Sequence, residues 1–105
     1  MELIPDNQIN DAAARLRALA HPLRLAVLCQ LGAGPMPVGD LVAATGASQS
    51  SLSQHLAKLR MMEILCCERR GQQIYYRLAN PDYMQLIDTI RQVFCPDIPG
   101  TEDGA

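Results

Sequence analysis

The side chains with the most reactive chemistry in this 105-residue chain are four cysteines, Cys29, Cys66, Cys67 and Cys95, joined by two histidines, His21 and His55. A thiolate attacks disulfide and sulfane sulfur, is oxidised stepwise, or binds a thiophilic ion. No pair has the CxxC spacing of a redox enzyme, and a disulfide between the adjacent Cys66 and Cys67 would need a strained ring. No histidine shares a motif with a cysteine, and no Gly-rich phosphate loop or paired-carboxylate arrangement is present. An enzyme, such as a small thiol oxidoreductase or sulfur carrier, therefore lacks its signature, and none is expected. The first twenty residues carry Glu2, Asp6 and Asp11 with no apolar core, so no signal peptide is expected. No stretch approaches the roughly 18–20 apolar residues of a membrane span. A soluble, cytoplasmic protein with reduced thiols is the expectation.

A second kind of chemistry lies in Val38–Arg60, VGDLVAATGASQSSLSQHLAKLR. Leu52, Leu56 and Leu59 recur at i, i+4 and i+7, which predicts a helix with one narrow buried stripe. Its other face offers Ser48, Gln49, Ser50, Ser53 and Gln54, short uncharged hydrogen-bonding groups suited to base edges in a major groove. Lys58 and Arg60 follow where phosphates would be reached. His55 reads as a packing or phosphate-facing residue. Beyond it, Glu68-Arg69-Arg70-Gly71 forms a basic hairpin tip able to grip the phosphate backbone or minor groove. The alternative, an amphipathic helix with a merely solvated polar face, does not explain the basic hairpin that follows it.

The elements that must hold these groups follow from periodicity and punctuation. Helices are predicted at about 8–19, 22–31, 38–45, 49–61 and 81–95. Ile9, Ala13, Leu16 and Ala20 give the first its stripe, and His21-Pro22 separates it from the second. The second, LRLAVLCQL, is apolar nearly all round and is expected to be central and buried. Gly46 permits a sharp turn and Ser48 is the expected N-cap of the fourth. Asn80-Pro81-Asp82 opens the last helix, whose stripe is Tyr83, Leu86, Ile87, Ile90 and Phe94, with Pro96 ending it. Between residues 64 and 78 the period changes to two, giving two strands around Gly71, with Tyr75, Tyr76 and Arg77 as wing and core structure. The fold class is thus mainly α with a small β-hairpin: about five helices plus a two-stranded wing. Residues 1–7 and the acidic tail 96–105 read as flexible ends around one domain, 8–95.

The net charge of −2 hides an uneven distribution. Residues 12–96 hold all nine basic residues against five acids, a local balance of +4. Whole-chain charge is a poor guide when the acids sit at the ends, so a nucleic-acid partner stays open.

Together, LRALAHPLRLAVL, VGDLVAATGASQSSLSQHLAKLR and ERRGQQIYYRL resemble the ArsR/SmtB family of winged helix-turn-helix repressors over roughly residues 12–95. The resemblance implies a homodimer built on the first and last helices that releases double-stranded operator DNA when an inducer binds. The family's arsenite-type site resembles an E-L-C-V-G-D-L box, but here Pro37 stands where the thiol would be. Its zinc-type site in the last helix resembles D-x-H, but Asp88-Thr89-Ile90 lacks the histidine. What remains is Cys29 in VLCQL and Cys95 in QVFCP, similar to the sulfide- and persulfide-responsive branch (SqrR-, BigR- and HlyU-like). That branch implies reactive sulfur species as inducer, bridging Cys29 and Cys95, with no cofactor and no metal. Burial as a small hydrophobe is the competing reading for Cys29, and Cys95 is expected exposed at a helix end. A metal- or metalloid-responsive repressor using cysteine thiolates is the alternative. Cys66 and Cys67 point to opposite faces of their strand, so at most one is expected in the core; a variant ligand or extra oxidisable thiol is the other reading.

Overall fold

The computed structural model describes residues 3–95. The chain runs α1 (Asp6–Leu19), α2 (Pro22–Leu31), β1 (Met36–Pro37), α3 (Val38–Thr45), α4 (Gln49–Met61), β2 (Leu65–Arg70), β3 (Gln73–Leu78) and α5 (Asp82–Phe94). Three helices fall at the expected bounds because their ends carry strong local signals. His21 is extended and its Nδ1 accepts the Leu23 N–H at 3.1 Å, and Pro22 opens α2. Gly46 closes α3 at φ +76°, a left-handed conformation that costs a side chain energy but glycine almost none. Ser48 Oγ then accepts the Ser51 N–H at 3.2 Å and starts α4. At α5 the Asn80 Oδ1 accepts the Asp82 N–H at 2.8 Å, so Pro81 is the cap and the helix begins one residue later than expected. Pro96 and the acidic tail 96–105 lie outside the described residues, as do residues 1 and 2.

The hairpin of β2 and β3 pairs Leu65 with Leu78, Cys67 with Tyr76 and Arg70 with Gln73, turning at Gly71 (φ +63°). The sheet has a third strand that the sequence did not reveal: β1 pairs antiparallel with Tyr76 and Tyr75, giving the order β1-β3-β2. Two residues beside a proline show no alternation, and only the tertiary pairing makes them a strand.

Val27, Leu28 and Leu31 of α2, Leu41 of α3, Leu52, Leu56 and Leu59 of α4, and Ile64 and Leu65 make one core. Each fully buried aliphatic side chain contributes about 1.5–3 kcal/mol. Three expectations need correction. α1 begins at Asp6, and its stripe does not face this core: Ile9 and Leu16 are 48% and 55% exposed, while only Ala18 and Leu19 are buried. α2 is central on one side only, because α5 leaves a cleft along the other and Cys29 is exposed there. α5 packs Tyr83, Leu86 and Ile87 against the core but buries no residue fully, and Phe94 is 74% exposed.

Candidate DNA interface and thiol cleft

The buried leucine stripe of α4 leaves its other side free, and Ser48, Gln49, Ser50, Ser53 and Gln54 are all exposed at its N-terminal half. Lys58 and Arg60 are exposed in the last turn, where they also complement the negative end of the helix dipole. His55 is half-buried and tied into the protein: its Nδ1 accepts from Arg24 Nε at 3.0 Å, and its ring lies 4.3 Å from that of His21. Desolvation, with His21 and Arg24 beside it, pushes the His55 imidazole down, which keeps Nδ1 free to accept.

At the wing, Arg69 and Arg70 are exposed as expected, but Arg70 is not free. Its Nε donates to Glu68 Oε2 at 2.6 Å, its guanidinium lies 4.7 Å above the Tyr75 ring, and Arg77 Nε donates to Glu68 Oε1 at 3.1 Å. The Arg70 guanidinium, reinforced by Arg77, holds the Glu68 carboxyl below the usual carboxylate range. Neither Cys66 nor Cys67 is fully buried. Cys67 pairs across the hairpin with Tyr76, whose phenol is pushed up by burial and then by that thiol.

The remaining two thiols lie elsewhere, along one cleft. Cys29 of α2 and Cys95, the residue closing α5, open into one cleft of about 420 Å³. Leu25, Met84, Ile87 and Ile90 give it apolar walls, and Asp88 and Arg91 supply its charged edge, paired at 3.1 Å. Gly32 lets the two helices approach at one end: a Cβ there would stand 2.5 Å from Met84 Sδ. Burial pushes the Cys29 thiol up from its ordinary value, Arg91 opposes this, and Cys95 adds to it. Both thiols thus open into one apolar-walled space with one guanidinium nearby. Among the described residues no group of three or more His, Cys, Asp or Glu side chains is placed to hold a metal ion. None of the described helices is long and apolar enough to cross a membrane.

The model of the bacterial regulatory protein family arsR matches residues 21–65, which span α2, α3, α4 and the start of β2. The transcriptional regulator YgaV of Escherichia coli is 41% identical over 87 residues, covering 82% of this chain and 88% of that protein. This chain belongs to the arsR family. The crystal structure of the transcriptional repressor BigR from Xylella fastidiosa superposes with a TM-score of 0.79 at 37% identity, covering 86% of this chain and 92% of that one. The resemblance to the BigR-containing branch thus holds in three dimensions. A homodimeric winged helix-turn-helix DNA-binding domain from Mycobacterium bovis superposes with a TM-score of 0.76 at 28% identity, covering 89% of each chain. As an ArsR-family winged helix, the chain is a DNA-binding transcription regulator and not an enzyme.

Sequence reasoning found the two thiols of this ArsR-family chain but missed Arg91, Met84 and Asp88 beside them. The i, i+3 spacing of Asp88 and Arg91, with Cys95 four residues further on, was the available signal, since residues so spaced fall on one side of a helix. It also missed Glu68 as the partner of two wing arginines. Arg70 lies two residues from it on the same strand face, and Arg77 reaches it from β3.

Proposed function

We propose that this ArsR-family protein is a homodimeric repressor that reads operator DNA and lets go of it when reactive sulfur species bridge Cys29 and Cys95. The observation that carries this reading is the shared cleft: one thiol on α2 and one at the end of α5 open into the same apolar-walled space, with the Arg91 guanidinium drawing the Cys29 thiol back toward its ordinary range against burial. The DNA-reading groups are Ser48, Gln49, Ser50, Ser53 and Gln54 for base edges. Lys58, Arg60 and Arg69 serve the backbone, Arg70 is shared with Glu68, and His55 acts through Arg24, which it holds in place. Two exposed apolar faces support the dimer, Ile9 and Leu16 on α1 and Val93 and Phe94 on α5. An apolar patch of this kind on a small domain marks an interaction site, and a domain of homodimeric assembly shares the fold.

The chemistry needs two steps. The thiolate of one cysteine attacks the sulfane sulfur of an organic persulfide RSSH, forming a protein persulfide and expelling RS⁻. The thiolate of the other cysteine attacks the protein-bound sulfur of that persulfide, which forms the Cys29–Cys95 disulfide and expels HS⁻. The two thiols are oxidised and the sulfane sulfur is reduced to hydrosulfide. Where both cysteines carry an extra sulfur, attack by one persulfide on the other leaves a trisulfide bridge and the same HS⁻. Either bridge ties α5 to α2. Because α5 forms part of the dimer contact, the spacing of the two α4 helices changes, and half-sites about one helical turn apart are no longer matched.

The test is peptide mass spectrometry of fully reduced protein after an organic persulfide, with peroxide and oxidised glutathione alongside. DNA binding by wild type, Cys29→Ser and Cys95→Ser completes it. A Cys29–Cys95 crosslink formed with the persulfide, and serine variants that still bind DNA but no longer release it, support the reading. Crosslinking at Cys66 or Cys67 instead, or tight binding of a thiophilic ion with proportional release, sends the reading to the metal-responsive alternative.

A further inference from the structure

Four of the arginines are matched with carboxylates: Arg15 with Asp11 at 3.0 Å, Arg70 and Arg77 with Glu68, and Arg91 with Asp88. Among the described residues, Arg17, Arg24, Lys58, Arg60 and Arg69 have no carboxylate within 4.0 Å. Three of these five converge. Arg17 of α1, Arg24 of α2 and Lys58 of α4 line one cleft of about 300 Å³, and Ala14 and Ala18 keep its α1 wall small. Arg24 is fixed there, with Nη1 donating to the Ala18 carbonyl at 3.0 Å and Nε to His55 Nδ1 at 3.0 Å. Arg17 and Lys58 have no side-chain hydrogen-bond partner among the described residues.

Three cationic side chains from three helices lining one cleft, two of them without a hydrogen-bond partner among the described residues, offer an anion more attraction than any one of them alone. The position says which anion. Lys58 and Arg60 are two residues apart, so at about 100° per residue they leave α4 on opposite flanks. Lys58 faces the α1–α2 cleft, whereas Arg60 lines a second cleft of about 410 Å³ toward the wing with Ser53 and Tyr76. A helix in the major groove, about 12 Å wide, has a phosphate strand on either side. Cations on both flanks fit that geometry.

We propose that the Arg17–Arg24–Lys58 cleft is a phosphate site that holds a backbone phosphate of the operator on the flank of α4 away from the wing. This extends, and rests on, the DNA-binding reading: it adds two residues from outside the helix-turn-helix segment and the wing. The shared chemistry is phosphate, whether as a DNA diester or as a free anion, and the experiment separates the two.

Fluorescence anisotropy of reduced protein on a duplex selected from random sequence, and on a scrambled duplex, is followed over a salt series. Arg17→Ala and Arg17→Gln lie on an exposed helix position, and an unchanged circular-dichroism melt checks that they fold. Each is expected to weaken both duplexes about three- to ten-fold and to lower the salt slope by about 0.9, the loss of one phosphate contact. The Arg17→Ala/Lys58→Ala pair should lose less than the product of the single losses, because both cations serve one phosphate. Wild-type affinity and slope in both Arg17 variants would overturn the site while leaving the DNA-binding reading intact. If wild type itself shows no salt-dependent binding, the DNA reading fails and takes the operator assignment with it. Inorganic phosphate shifting the Arg17 and Arg24 side-chain NMR signals, together with unchanged DNA binding in the variants, would overturn the operator assignment in favour of a small free anion.

Discussion

Replacing Glu68 by Gln should strengthen DNA binding, because this carboxylate occupies wing cations that would otherwise meet phosphate. It accepts from Arg70 at 2.6 Å and from Arg77 at 3.1 Å, leaving Arg69 without an acidic partner among the described residues of the wing. Glutamine keeps an acceptor oxygen and the strand geometry but removes the negative charge, so one or both arginines become available. Each added phosphate contact steepens the salt dependence by about 0.9 in log–log slope. Over a fourfold change in salt, that is an extra factor of about 3.5 in affinity for one arginine and about 12 for two. Anisotropy on selected and scrambled duplexes should show tighter binding on both, since phosphate contacts carry no base information. The melting temperature should hardly move, as exposed ion pairs add little to stability. Mild acid will not mimic the variant, because Arg70 and Arg77 hold the Glu68 carboxyl below the usual range and it stays ionised. Unchanged or weaker binding with an unchanged slope would refute the reasoning and make Glu68 an organiser of the wing.

Two further outcomes follow from the same geometry. Arg91→Gln removes the charge that, among the described residues, draws the Cys29 thiol back toward its ordinary range, so less thiolate exists at neutral pH. Persulfide-driven bridging should slow several-fold there and recover as pH rises, with the rise displaced to higher pH than in wild type; an identical pH–rate profile would show that Arg91 does not act on the thiol. Gly46→Ala places a side chain at φ +76° with nothing within 4 Å of the new Cβ, so the cost is backbone strain alone. About 1–2 kcal/mol is expected, or about 4–8 °C in Tm per kcal/mol for a domain of this size, read by thermal melting.

The helix-turn-helix was legible because local and tertiary signals agree there. Leu52, Leu56 and Leu59 fix the buried side of α4, Gly46 and Ser48 fix its entry, and all three leucines are 0% exposed. The failures share a cause: periodicity reports which residues are apolar but not which neighbour covers them. Ile9 and Leu16 form a proper helical stripe, yet α1 reaches the core only through Ala18 and Leu19 at its end. Cys29 sits in an apolar run and is exposed, because Val27, Leu28 and Leu31 use the face that meets α3 and α4. The partners of the charged groups were hidden for a different reason. Arg77 meets Glu68 across nine residues, and Arg17, Arg24 and Lys58 meet from three helices, so only the fold brings them together.

That division of faces also says how a bridge between Cys29 and Cys95 would act. α2 has three buried residues in the core that also holds Leu52, Leu56 and Leu59 of α4, whereas α5 has none. Close-packed interiors resist deformation, so a tether between α2 and α5 should move the loosely held helix and leave α2 seated on α4. Release of DNA would then come from a changed α5 contact between protomers, with the recognition helix itself undistorted. Hydrogen exchange of reduced and persulfide-treated protein tests this directly. Amides of α5 should gain protection on bridging, by an amount that Cys29→Ser or Cys95→Ser abolishes, while those of α4 from Leu52 to Leu59 stay as they were. A change in α4 as large as that in α5 would mean that the signal passes through the core, and the account of α5 as the moving part would have to be abandoned.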